Sequence, residues 1–187
     1  MKKAIYIFIF FISQYFFGQQ SNQLWKGYFS YNEIVDVESS TNAVFASTQN
    51  ALFSQVVASS NLNVYNSITG LKPDVITTIH HSDAFNKTFV GNNNGLILIQ
   101  NADGSVTTKV DVIEEVPVPP NKKKINDFFE FNGRLYIATD YGISVIDIAT
   151  SEFISTYFIG TSGEETEVLQ TTVFNNEIYA VTRSFGI

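Results

Sequence analysis

Four segments of this 187-residue chain align on one small residue followed by Leu or Ile. They are "AVFASTQNALFSQVV" (43–57), "TFVGNNNGLILIQ" (88–100), "LYIATDYGISVID" (135–147) and "IYAVTRSFGI" (178–187). The aligning residues Ala51, Gly95, Gly142 and Gly186 are spaced by 44, 47 and 44 residues. Self-similarity at a fixed period of this length implies stacked copies of one supersecondary unit.

Each copy reads as strands. The segment ahead of the aligned pair alternates or runs apolar: "EIVDVES" (33–39), "VITTIHHS" (75–82), "KINDFFEF" (124–131) and "EVLQTTVF" (167–174). Asn132–Gly133 follows the third of these, and both residue types accept the positive φ of a tight hairpin. The small aligning residue marks a second sharp reversal, where Gly avoids the Cβ clash. A third strand then runs as "ALFSQVV", "GLILIQ" or "GISVIDI". A fourth, more polar, follows as "LNVYNSI" (62–68), "VTTKVDVIEE" (106–115) or "FISTYFIG" (153–160). Aromatic content of 14% and the many Val, Ile and Thr residues agree with pleated, half-buried surfaces.

Four short antiparallel strands recurring at this period match β-propeller blades. A two-sheet sandwich would not explain the fixed period, and a β-solenoid would need shorter coils. The expected fold is therefore all-β, a propeller of four-stranded antiparallel blades. About three and a half repeats are present, against the roughly four to eight that close a ring. A partial ring would leave apolar edges unpaired, so residues 19–187 read as a partial amino-terminal propeller, a fragment of a longer protein. The segment "LWKGYFSY" (24–31) could supply a strand that closes the last blade, with Trp25, Tyr28 and Tyr31 as packing residues.

Residues 1–18 have the form of an export signal. Lys2 and Lys3 precede the apolar run Ala4 to Ile12, and Gly18 is a small residue where cleavage could fall. The apolar run is too short to span a bilayer comfortably, and Ser13 and Gln14 interrupt it. Without that segment the chain carries 9 Lys+Arg against 18 Asp+Glu, a balance of −9. Such a balance argues against nucleic acid or an anionic membrane surface as the main partner. There is no cysteine, which excludes disulfides and thiolate metal sites.

No catalytic, cofactor-binding or metal-binding residues are nominated, and no cofactor is expected. His80 and His81 are adjacent in a strand and face opposite sides, so they are poorly placed to share a metal, and they read as surface residues. No "GxSxG" elbow is present. "NADGS" (101–105) lacks the later Glu of a calcium loop and fits a hairpin turn. "GNNNG" (91–95) does not match a phosphate cradle. Asp127, at an interblade junction, is expected to serve a turn or a backbone hydrogen bond. The carboxylates look scattered, with Glu114–Glu115 and Glu164–Glu165 as loop features. Lys122 to Lys124 read as a solvated loop.

The stretches "LWKGYFSYNEIVDV", "NALF", "NSITGLKPDVITTI" and "KKKINDFFEFNGRLYIATDYGISVID", behind an export signal, resemble the amino-terminal propeller of the PorZ family. PorZ proteins belong to the type IX secretion system of Bacteroidetes bacteria. "TGLKPDVITTI" also resembles the broader class of two-component-regulator propeller repeats. The resemblance implies two propellers followed by a sorting sandwich, at the outer-membrane surface, in an attachment complex with the sortase PorU and the barrels PorV and PorQ. It further implies a non-enzymatic role, the delivery of anionic lipopolysaccharide to the sortase. The alternative is the periplasmic sensor propeller of a hybrid two-component regulator, and an enzymatic propeller would need an acid–base constellation that the sequence does not display.

Overall fold

A computed structural model describes residues 31–59, 61–72, 74–116 and 118–187. The export signal expected at 1–18, and Trp25 and Tyr28 of the 24–31 segment, lie outside the described residues. Tyr31 is described, and its ring meets Phe53 edge-on at 5.0 Å.

The strands group into blades in strict chain order. Blade 1 is β1 (Asp36–Ser39), β2 (Ala43–Ser47), β3 (Leu52–Val56) and β4 (Leu62–Tyr65). Blade 2 is β5 (Ile76–Ser82), β6 (Lys87–Asn92), β7 (Ile97–Gln100) and β8 (Val106–Lys109). Blade 3 is β9 (Ile125–Phe131), β10 (Arg134–Thr139), β11 (Gly142–Asp147) and β12 (Phe153–Tyr157). A two-stranded sheet, β13 (Val168–Phe174) and β14 (Glu177–Thr182), begins a fourth, and a bridge from Thr182 to Gly186 follows it. Neighbouring strands pair antiparallel throughout. The first strands β1, β5, β9 and β13 contact one another in succession, so they form the inner edge of the array.

The stack is stabilised by burying both faces of each inner sheet. In β7, Ile97 and Ile99 enter the cluster shared with blade 3, while Leu98 enters the cluster shared with blade 1. In β6, Phe89 and Val90 divide the same way. Strand side chains alternate between faces, so a wholly apolar run is what a sheet covered on both sides requires. Each fully buried Ile, Leu or Phe contributes about 1.5–3 kcal/mol. The outer strands β4, β8 and β12 are the less buried ones, as their polar sequences anticipate.

The turns follow the expected chemistry. Asn132 and Gly133 have φ of 52° and 72°, the positive pair that joins β9 to β10 tightly. Gly142 marks a close approach, since a Cβ there would lie 2.3 Å from the Tyr157 carbonyl oxygen. One segment departs from expectation. Val106–Lys109 is a strand, but Asp111–Glu114 forms a single helical turn, α1, instead of continuing it. The turn buries Val112 completely in the cluster between blades 2 and 3 as the chain leaves the outer edge.

Candidate functional site

The inner edge gathers the polar groups that the sequence leaves scattered. His80 lies on β5 between the innermost strands of two neighbouring blades. Its Nδ1 is 2.9 Å from Glu38 Oε1 on β1, and its Nε2 is 3.1 Å from Glu130 Oε2 on β9. A neutral imidazole has one N–H, so bonding both carboxylates at once takes the imidazolium, which has two. Burial pulls the His80 pKa down, but hydrogen bonds and charge from Glu38, then Glu130, outweigh it and raise it above 6.5. Three blades are thereby joined through one ring.

Aspartates extend this polar seam. Asp36 Oδ2 accepts hydrogen bonds from the Ile79 backbone N–H at 2.8 Å and the Thr78 hydroxyl at 3.0 Å. Thr77 Oγ1 donates to the Ile125 carbonyl at 2.6 Å, carrying the link from blade 2 to blade 3. Asp127 Oδ2 accepts from the Thr171 N–H at 3.4 Å, carrying it on to β13. Of the two roles expected of Asp127, the backbone hydrogen bond is the one present, since the residue lies within β9 and not in a turn. Burial, with Asp36 nearby, pushes its carboxyl up to about 6, against the pull of the Thr171 and Phe128 N–H groups and His80.

Three expectations are corrected. The histidines are not surface residues: the His80 and His81 side chains are 13% and 9% exposed. His81 faces away from His80, stacks on Phe45 with ring centroids 4.2 Å apart, and contacts Thr88 Oγ1 at 2.9 Å. Burial lowers its pKa, partly opposed by Asp83. Lys122 to Lys124 are not simply a solvated loop, because Lys123 is 3% exposed. Its ammonium donates to the Glu115 carbonyl and sits 5.6 Å from the Tyr141 ring centroid. Nor are the carboxylates all scattered, since Asp36, Glu38, Asp127 and Glu130 converge on the inner edge. Glu115 is also engaged, accepting from Thr156 Oγ1 at 2.7 Å, and Glu165 pairs with Lys122 at 2.7 Å.

A signal for the seam was present in the register. Glu38 pairs across from Phe45 and His80 across from Phe89, so the two occupy the same level in adjacent blades. Aligning the repeats on the aromatic residue of the second strand would have placed them side by side. Among the described residues, no group of three or more His, Asp or Glu side chains is arranged to hold a metal ion. What the seam does chemically is bind blades together through charge-assisted hydrogen bonds.

The sequence and the fold both lead to known proteins. A family model described as the type IX secretion system PorZ amino-terminal β-propeller domain matches residues 44–187. The chain belongs to that PorZ propeller family. Among solved structures it is similar to PorZ of Porphyromonas gingivalis, a bacterial surface component of the type IX secretion system. The TM-score is 0.71 at 19% identity, covering 84% of this chain and 20% of PorZ. It is also similar to the extracellular domain of a hybrid two-component system of B. thetaiotaomicron. There the TM-score is 0.63 at 18% identity, over 83% of this chain and 20% of the other. Streptogramin B lyase gives 0.55 at 13% identity, over 72% and 42%. At these identities the structural likenesses establish the propeller fold. The chain spans about a fifth of the length of the first two proteins. No curated protein matches the sequence.

Proposed function

We propose that this PorZ-family chain is an exported, non-catalytic part of the type IX secretion attachment complex at the outer-membrane surface. There it helps present anionic lipopolysaccharide to the sortase PorU, alongside PorV and PorQ. The family match over residues 44–187 carries the reading. In it, residues 1–18 direct export and are removed, and residues 19–187 supply propeller blades. A rigid stack with its polar seam directed inward leaves the rim loops free for partners. The acidic balance of the chain disfavours phosphate contacts as the source of affinity, so recognition of the glycolipid would run through its sugars.

Deleting the gene in its host and following type IX cargo tests this reading. The expected result is cargo that keeps its sorting domain and is lost from the cell surface, restored by the intact gene. Normal cargo attachment in the deletion strain would overturn it. The similarity to two-component sensor domains supports one other reading, in which the propeller senses a periplasmic ligand. That reading predicts intact cargo attachment and a lost transcriptional response.

A further inference from the structure

Between blades 1 and 2, at the end bearing the β5–β6 and β7–β8 turns, lies a polar cavity of about 160 Å³. Ser54, Tyr65, His81, Asn86, Thr88 and Gln100 line it with Phe45 and the 101–104 turn. Both flanking blades have all four strands, so the cavity is not an uncovered blade face. Gln100 is nine-tenths buried. Among the described residues, hydrogen bonds run from His81 to Thr88, from Asn63 to Ser54, and from Asn101 to Ser105 and Thr107. These leave the Gln100 and Asn86 amides and the Tyr65 hydroxyl without a protein partner. Each amide offers two N–H donors and a carbonyl acceptor, which a ligand in the cavity can engage without breaking a protein hydrogen bond.

We propose that this cavity binds a single neutral sugar residue. No lining residue carries a full negative or positive charge while His81 is neutral, and burial lowers the His81 pKa. Phosphate or carboxylate would therefore find no counter-charge there. Convergent amides and hydroxyls beside apolar ring surface match a ligand with hydroxyls on its edge and C–H groups on its faces. The volume equals that of about five waters and lies below the roughly 300 Å³ at which drug-sized pockets begin. One ring fits, and a chain would have to run on into solvent. The site takes such a residue whether or not the protein serves the attachment complex, and the two claims fail separately.

The test titrates the full chain with the methyl α-glycosides of glucose, galactose, mannose and N-acetylglucosamine, read by saturation-transfer NMR and calorimetry. At least one is expected to bind saturably, with affinity unchanged between 0.05 and 0.5 M sodium chloride because no charge is involved. Gln100→Met keeps the side-chain length and removes the amide. Asn86→Gly removes the second amide and keeps the positive φ of 49°. Each is expected to weaken binding about tenfold, the loss of one hydrogen bond. Absence of binding to all four glycosides, or parental affinity in both variants, overturns the assignment. Displacement of the bound glycoside by inorganic phosphate overturns its neutral character.

Discussion

Replacing Asp127 with Asn should stabilise the protein at neutral and alkaline pH. The Asp127 carboxyl faces Asp36 across the inner edge, with His80 and the Thr171 N–H as its favourable neighbours, and its pKa rises from 3.8 to about 6. Between those values the native state holds a proton that the unfolded chain has released. Stability therefore falls as pH rises from about 4 to 6 and stays lower above that, opposite to an ion-paired aspartate. A rise from 3.8 to about 6 corresponds to about 3 kcal/mol. Asp127 is only partly buried, and solvent screening brings this to about 1–2 kcal/mol. The Asn carbonyl oxygen can still accept from Thr171, and it has no charge to desolvate. Thermal unfolding of the parent and Asp127→Asn at pH 8 should differ by about 2–8 °C in favour of the variant. At pH 4.5 the difference should shrink to about a third, because most of the penalty is then avoided by protonation. An equal gain at both pH values, or a loss at pH 8, would refute the reasoning.

His80→Gln removes a cation held between two carboxylates. It should cost about 1–3 kcal/mol at pH 6, measured by urea unfolding. His80 is raised above 6.5, so its contribution is complete below 6.5 and is lost as pH climbs through the folded-state value. The variant's deficit should narrow accordingly, and a deficit independent of pH would count against the imidazolium. Gly142→Ala should destabilise far more than Gly104→Ala, since the first Cβ meets the Tyr157 carbonyl oxygen at 2.3 Å and the second meets open space. Gly104 has φ of 82°, so its variant should still lose about 1–2 kcal/mol from left-handed strain. An amine-reactive label followed by peptide mapping should modify Lys122 readily and Lys123 only after unfolding. Comparable labelling of both in the native state would contradict the burial of Lys123.

The strands were legible because their period is local. Ile97, Leu98 and Ile99 announce a strand covered on both faces, and Asn132–Gly133 announces its hairpin. What escaped was decided by a neighbour one repeat away or by the path of a loop. His80 looked like a surface residue because its partners Glu38 and Glu130 are 42 and 50 residues distant. Lys123 looked solvated because its acceptor, the Glu115 carbonyl, lies across a loop whose path is set by the buried Val112. Strand propensity carried "VTTKVDVIEE" too far for a related reason. Nothing local reveals that the chain must fold back inward at Asp111. The cavity between blades 1 and 2 was equally hidden, since it takes residues from six strands and two turns.

The polar groups of this array divide by whether they are already satisfied. On the inner edge Asp36, Glu38, His80, Thr77 and Glu130 use their hydrogen-bonding capacity on one another or on backbone, so a ligand there would have to break bonds worth as much as those it formed. At the rim between blades 1 and 2 the amides of Gln100 and Asn86 make no hydrogen bond to the described residues, so a ligand can engage them without breaking one. The seam therefore serves as the structural lock and the rim cavity as the place for recognition. A rigid inner edge keeps the blades in register, and a neutral cavity can be presented outward without a moving part.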